Sequence, residues 1–220
     1  MNKKIKCVIF DLDGTLIDSG PDLLDSLNYV LKKNKLKSIS RKVLGNLVGG
    51  GAEAMIRKGY GFLNEKIVVE KIPEMVDCFI DFYYQNCTKK TLLYDNVFES
   101  LKNLRSKKFK MGLCTNKKQH LTEKIVEQLN IKDFFDEIVG SRKSIALKPE
   151  TDMLKFCLEN LESSPEESIM IGDSNNDIIP ANKMNMTSVF VRYGYGKLDE
   201  SVTPNFSIDN INEILRILNS

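Results

Sequence analysis

Lys6-Cys7-Val8-Ile9-Phe10-Asp11-Leu12-Asp13-Gly14-Thr15-Leu16 is the stretch whose reading decides the fold of this chain. A short apolar run rich in β-branched residues reads as a buried parallel strand. It stops abruptly at two carboxylates spaced i, i+2, followed by a turn glycine. In open α/β sheets, ligands bind just beyond the carboxyl ends of the strands. Two acids at such an edge repel each other unless a cation or a shared proton offsets the repulsion. The stretch therefore asks for a divalent metal, a nucleophile and acid pair, or both. Taken alone, Asp13-Gly14 also suits a plain chain reversal after an edge strand.

Composition narrows the field. The 220 residues suffice for one large domain, or for a core domain carrying an insertion. With 42% hydrophobic and 28% charged residues the chain reads as an ordinary globular protein. Its net charge of +2 is too balanced for nucleic acid to be the main partner. Lysine pairs such as Lys32-Lys33, Lys89-Lys90 and Lys107-Lys108 read as solvated faces. The five cysteines (Cys7, Cys78, Cys87, Cys114 and Cys157) show no C-x-x-C spacing, and two lie in strand-like runs. Buried reduced thiols are expected rather than disulfides or zinc ligands, which implies a reducing compartment. The opening before the first strand is too short for a signal peptide, and no apolar run reaches membrane-spanning length. A cytoplasmic protein with no membrane partner is expected.

Working outward from Asp11, Gly20-Pro21-Asp22 has the form of a helix start, and Leu23, Leu24, Leu27, Val30 and Leu31 recur at helical spacing. Ser40 suits a cap for a short second helix, Gly49-Gly50-Gly51 interrupts, and residues 52–58 resume helical character. Residues 64–87 carry a long helical pattern in which Pro73 is expected to break or kink the helix. No strand is predicted between residues 21 and 87. Beyond that, strands over 110–114, 137–140, 168–171 and 188–191 alternate with helices over 97–107, 119–129, 150–161, 176–184 and 211–218. Such alternation means a parallel sheet with right-handed crossovers. The expected fold is an α/β, Rossmann-like core of residues 1–17 and 88–220, interrupted by an all-helical insertion of residues 18–87.

Four strand ends then supply polar residues to one crevice. Asp11 and Asp13 follow the first strand, Thr115-Asn116 follow Leu113-Cys114, and Lys148-Pro149 precede the helix beginning near Glu150. Gly172-Asp173-Ser174-Asn175-Asn176-Asp177 follow Ile169-Met170-Ile171. Each has a plain structural alternative: a helix cap for Thr115 or Asn116, a surface position for Lys148, first-turn acids for Asp173 and Asp177. Together they make a phosphoryl-transfer set of a nucleophile, hydroxyl and amide donors, one cation and a second acid pair.

FDLDGTLIDS, the strand ending in Thr115-Asn116, Lys148-Pro149 and GDSNND resemble, in order and spacing, the four motifs of the haloacid dehalogenase superfamily of phosphotransferases. The resemblance covers essentially the whole chain. The helical insertion resembles the cap of phosphoglycolate phosphatases. Softer similarities to that group lie in residues 19–23, 47–52, 94–97, 134–136 and Tyr193-Gly194-Tyr195-Gly196. Pro180 departs from the pattern and is expected to delay or bend the helix after GDSNND.

The resemblance implies that Asp11 attacks phosphorus and carries an aspartyl-phosphate, while Asp13 serves as acid and then base. It implies Mg²⁺ held by Asp11, the Asp13 main-chain carbonyl and Asp173, with Asp177 orienting from behind. Thr115 and Asn116 would bind phosphate oxygens, and Lys148 would hold Asp11 and the phosphate together. Asp13 argues against the dehalogenase branch. The cap would exclude water, and Arg57 or Lys58 would meet a substrate carboxylate; surface charge is the plain alternative for both, as an exposed helix position is for His120. The expected activity is a Mg²⁺-dependent phosphatase acting on a small phosphorylated metabolite, 2-phosphoglycolate first. Alternatives are a phosphatase or mutase for β-glucose 1-phosphate, pyrophosphate, a sugar phosphate or a nucleotide. A phospho-accepting regulatory module is the alternative of a different class; Asp13 and the late GDSNND count against it. Monomer and homodimer both remain open.

Overall fold

The structure, a computed structural model, describes residues 4–218. Strand β1 (Cys7–Phe10) is shut off from solvent on both faces, which is why it is a continuous apolar run rather than an alternating one. The remaining strands are β2 (Ile17–Asp18), β3 (Leu92–Leu93), β4 (Lys110–Lys118), β5 (Glu137–Ser141), β6 (Ser168–Gly172), β7 (Thr187–Val191) and β8 (Phe206–Ile208). The helices are α1 (Gly20–Lys33), α2 (Leu44–Leu47), α3 (Gly51–Phe62), α4 (Ile72–Asn86), α5 (Val97–Ser106), α6 (Gln119–Gln128), α7 (Asp152–Asn160), α8 (Asn175–Lys183) and α9 (Ile214–Ile217).

Six strands form one parallel sheet in the order β5-β4-β1-β6-β7-β8. The first strand is central, with β4 on one side and β6 on the other, so the chain order reverses across it. That reversal opens a crevice at the carboxyl ends of β1, β4 and β6. On one face of the sheet, Cys7, Ile9, Cys114, Val139 and Met170 pack against Met153, Leu154, Cys157 and Leu158 of α7. Strand β8 was not expected; at three residues, with Phe206 largely exposed, it carries little apolar pattern to read.

The chain divides into two compact units, Met1–Asp18 with Leu93–Ser220, and Ser19–Leu92. The first holds the six-stranded sheet. The second is built on helices α1 to α4, with Leu27, Leu31, Met55, Ile56, Phe79 and Tyr83 in its interior. Tyr29 stacks on Phe82 at 4.2 Å between ring centroids, fixing α1 against α4. The unit runs beyond residue 87 for a local reason. The Asp22 carboxylate, in the first turn of α1, accepts hydrogen bonds from Lys90 N, Thr91 N and Thr91 Oγ1 at 2.8–3.1 Å, so the returning segment is tied to the helical unit.

Pro73 differs from expectation, and at Pro180 the expected delay of the helix start is not seen. Pro73 stands in the first turn of α4, where its missing N–H has no intrahelical partner to lose, so it starts the helix instead of kinking one. Pro180 lies inside α8, yet that helix begins at Asn175, ahead of it. Burial of Ile178, Pro180 and Ala181 against the core outweighs the one lost backbone bond.

Candidate active site

The register places the reactive edge. Phe10 pairs with Leu113 on one side and Ile171 on the other, and the Asp11 N–H donates to the Ile171 carbonyl at 2.9 Å. Asp11 thus stands where the central strand leaves the sheet, flanked by Thr115 from β4 and Asp173 beyond β6. The loop after it turns at Gly14, whose φ of +87° suits glycine. A Cβ there would lie 2.2 Å from the Asp173 carboxylate, so only glycine lets the first loop close against the second acid pair. Gly172 does the same for Asp177, with a Cβ contact of 2.2 Å.

Thr115 and Asn116 are not helix caps. β4 continues through them to Lys118, and its register against β5 shifts between Cys114 and Lys118. The Thr115 side chain is buried, its hydroxyl accepting from Lys117 N at 3.3 Å. The Asn116 amide is committed on both ends to the Lys148 backbone: Nδ2 donates to the Lys148 carbonyl at 2.8 Å, and Oδ1 accepts from Lys148 N at 3.0 Å. Its side chain therefore places Lys148.

Lys148 is 1% exposed and spends its three donors on Asp11 Oδ1 (2.9 Å), Asp177 Oδ1 (2.6 Å) and the Cys114 carbonyl (2.6 Å). The second oxygen of Asp177 accepts from Ser174 N and Ser174 Oγ at the start of α8. Both its oxygens are thus engaged, one fixing the lysine and one fixing the loop that carries Asp173. Asp173 Oδ2 in turn accepts from Tyr195 N (2.8 Å) and Gly196 N (2.9 Å). Tyr193 Oη donates to the Thr15 carbonyl at 2.8 Å, and Tyr195 Oη donates to Asp18. The 193–196 segment, legible in the sequence as a local similarity without a role, is what anchors Asp173 and the first loop.

Electrostatics follow from burial. Desolvation pushes the Asp11 carboxyl up to about 8, with Asp177 and Asp173 adding to the rise and Lys148 opposing it. Asp173 is pushed up to about 6, again by burial first and then by Asp177, against the pull of the Gly196 and Tyr195 amides. Burial also works against the Lys148 charge, but Asp11 and Asp177 outweigh it and hold that pKa above its ordinary value. Three buried acids against one buried ammonium leave a surplus of negative charge. Carboxylate oxygens of Asp11, Asp173 and Asp177 lie within 4.8 Å of one another. The donors are hard oxygens with no histidine or thiolate among them, the set that Mg²⁺ takes. The residues fit a divalent cation, with Asp11 and Asp173 the better placed to meet it because Asp177 is already bound on both sides.

Asp13, partly exposed, pairs with Lys117 Nζ at 3.0 Å, and the lysine side chain is only 6% exposed. Sequence reading passed over Lys117, since one lysine of a Lys-Lys pair carries no burial signal. Arg57 lies in the helical unit on α3, half exposed and paired with Glu53 one turn earlier at 2.8 Å. Lys58 Nζ is on the Gly49 carbonyl at 3.3 Å. His120 is exposed in the first turn of α6.

Comparison with known proteins agrees with this geometry. The family model of haloacid dehalogenase-like hydrolases matches residues 8–191. The chain belongs to that family. It is a hydrolase of phosphoric monoesters, similar over nearly its whole length to phosphoglycolate phosphatases. The phosphoglycolate phosphatase of Vibrio cholerae is 32% identical over 221 residues, 98% of each chain. That of Colwellia psychrerythraea is 31% identical over 213 residues, 94% of each. The crystal structure of a predicted phosphoglycolate phosphatase from Haemophilus somnus superposes with a TM-score of 0.87 at 26% identity, covering 98% of both chains. Among the described residues no helix is long and apolar enough to cross a membrane.

Proposed function

We propose that this protein hydrolyses 2-phosphoglycolate to glycolate and phosphate, with Mg²⁺, through an aspartyl-phosphate on Asp11. The observation that carries the reading is the buried Lys148 gripping Asp11 and Asp177 at the end of β1, with Asp13 two residues along. The names and full-length coverage of the relatives support the substrate. Asp11 attacks phosphorus in line, and Asp13 gives its proton to the departing glycolate oxygen, then takes one from the water that releases phosphate. Asp11 and Asp173 would hold Mg²⁺, which when bound would neutralise charge on the phosphate oxygens and lower the proton affinity of Asp11. The Thr115 hydroxyl binds a phosphate oxygen, and Asn116 keeps Lys148 in place while charge builds up. The helical unit Ser19–Leu92 is assigned the part of the cap, supported by its insertion directly after the Asp11 loop. A cytoplasmic setting suits the four buried thiols, Cys7, Cys87, Cys114 and Cys157.

The test is phosphate release from 2-phosphoglycolate, β-glucose 1-phosphate, pyrophosphate and nucleoside monophosphates side by side in Mg²⁺. 2-Phosphoglycolate is expected to lead in kcat/KM. Its absence from the best substrates would overturn the substrate and leave the Asp11 chemistry in place.

A further inference from the structure

We infer that Lys117 is a specificity residue: its ammonium receives the anionic end of the leaving group and selects phosphate esters of small hydroxy acids over neutral ones. This rests on the proposed reaction, because it is Asp13 that locates the leaving oxygen. A carboxyl that protonates that oxygen must come within about 2.6–3.2 Å of it. Lys117 Nζ lies 3.0 Å from Asp13 Oδ2, so it stands beside the place where the leaving group departs. In 2-phosphoglycolate the carboxylate is one methylene beyond that oxygen, which puts it within reach of the same ammonium. The ammonium carries three donors and can serve two carboxylates at once.

Burial decides between this lysine and the two cations on α3. The Lys117 side chain is 6% exposed and comes from β4, the strand that also delivers Thr115. Arg57 is about half exposed and already neutralised by Glu53. Lys58 is occupied with loop carbonyls. A desolvated ammonium discriminates between charged and neutral partners far more strongly than a solvated one. The register of β4 against β5 shifts between Cys114 and Lys118, the stretch that carries Lys117 to Asp13.

The experiment compares kcat/KM for 2-phosphoglycolate with that for 2-hydroxyethyl phosphate, an ester of nearly equal size whose leaving group is neutral, in the wild type, Lys117→Met and Lys117→Arg. The wild type should favour the carboxylate by roughly ten- to a hundredfold, the worth of one charge-assisted hydrogen bond in a partly dry site. Lys117→Met should bring that ratio to within about threefold, whatever common loss both substrates suffer, and Lys117→Arg should keep most of it. Lys117→Gln gives the same reading should Lys117→Met fold poorly. If the wild-type preference survives Lys117→Met or Lys117→Gln undiminished, the assignment of Lys117 is overturned while the substrate reading stands. If the wild type shows no preference for the carboxylate, both fall together.

Discussion

Asp173 shows how much surrounding structure one carboxylate demands. It needs a glycine opposite it at Gly14, two amides at Tyr195 and Gly196, and a neighbour, Asp177, whose own charge is answered by Lys148. The result is an acid pushed up by burial to about 6, beside Asp11 pushed up to about 8, a pair that gains from a divalent cation. Saturating Mg²⁺ should therefore raise the melting temperature. At a hundred times its dissociation constant, a ligand adds about 2.7 kcal/mol to stability. That is roughly 5–10 °C for a chain of this size. Asp173→Asn should abolish the shift, and EDTA should abolish turnover in the wild type. A melting temperature indifferent to Mg²⁺ would count against the cation site. The acids and Lys148 stood out in the sequence because Asp11, Asp13 and Asp173 follow apolar strands, Asp177 comes four residues after Asp173, and Lys148 precedes a helix. The part Asn116 plays was not, since its amide serves a backbone 32 residues away.

At the scale of elements, closure of the helical unit on itself depends on Asp22. Its carboxylate is 1% exposed and accepts three hydrogen bonds from Lys90 and Thr91, which seals the far end of the helical unit to the start of α1. Asp22→Ala leaves a buried amide, a buried hydroxyl and a partly buried amide unpaired, a cost of about 2–5 kcal/mol at ~1–3 kcal/mol per group with partial relief by water. Urea unfolding should show the drop, and limited proteolysis should cut first near residues 88–92. A stability loss under 1 kcal/mol would assign the seal elsewhere. Sequence reading gave Asp22 only a first-turn role, because nothing local announces a partner 68 residues on. Alternation of apolar strands and amphipathic helices did specify the parallel sheet. It ended β4 too early, since Thr115 and Asn116 are polar, and polar residues in an extended strand end look like a loop.

Across the whole molecule, burial sets the response to alkali. Desolvation pushes Cys114 up to about 12, raises Cys7 and Cys157, and pushes Tyr94 up to about 12. An unfolded thiol ionises near pH 8.5 and an unfolded tyrosine near 10. Between those values and 12 the native state holds more protons than the unfolded one, so stability falls as pH rises through that window. The thiols and Tyr94 should therefore make the melting temperature fall as the pH rises above roughly pH 9. Half-buried Cys78 should react with thiol reagents before the other four, which are buried. Labelling of Cys114 or Cys157 in the folded protein at neutral pH would contradict the packing around α7. Composition alone anticipated reduced thiols, but the clustering of Cys7, Cys114 and Cys157 on one side of the sheet came only with the strand order β4-β1-β6.

The central claim is that Asp11 carries the phosphoryl group, and it is open to one direct measurement. The protein is mixed with 2-phosphoglycolate and Mg²⁺, quenched in acid within milliseconds, digested, and the peptide spanning residues 5–32 is sequenced by mass spectrometry. The account predicts one phosphoryl group on Asp11, lost on standing in neutral buffer, and absent from Asp11→Asn, which should turn over at least ~10³-fold more slowly. A phosphoryl group on any other residue, or turnover by Asp11→Asn near the wild-type rate, would contradict it.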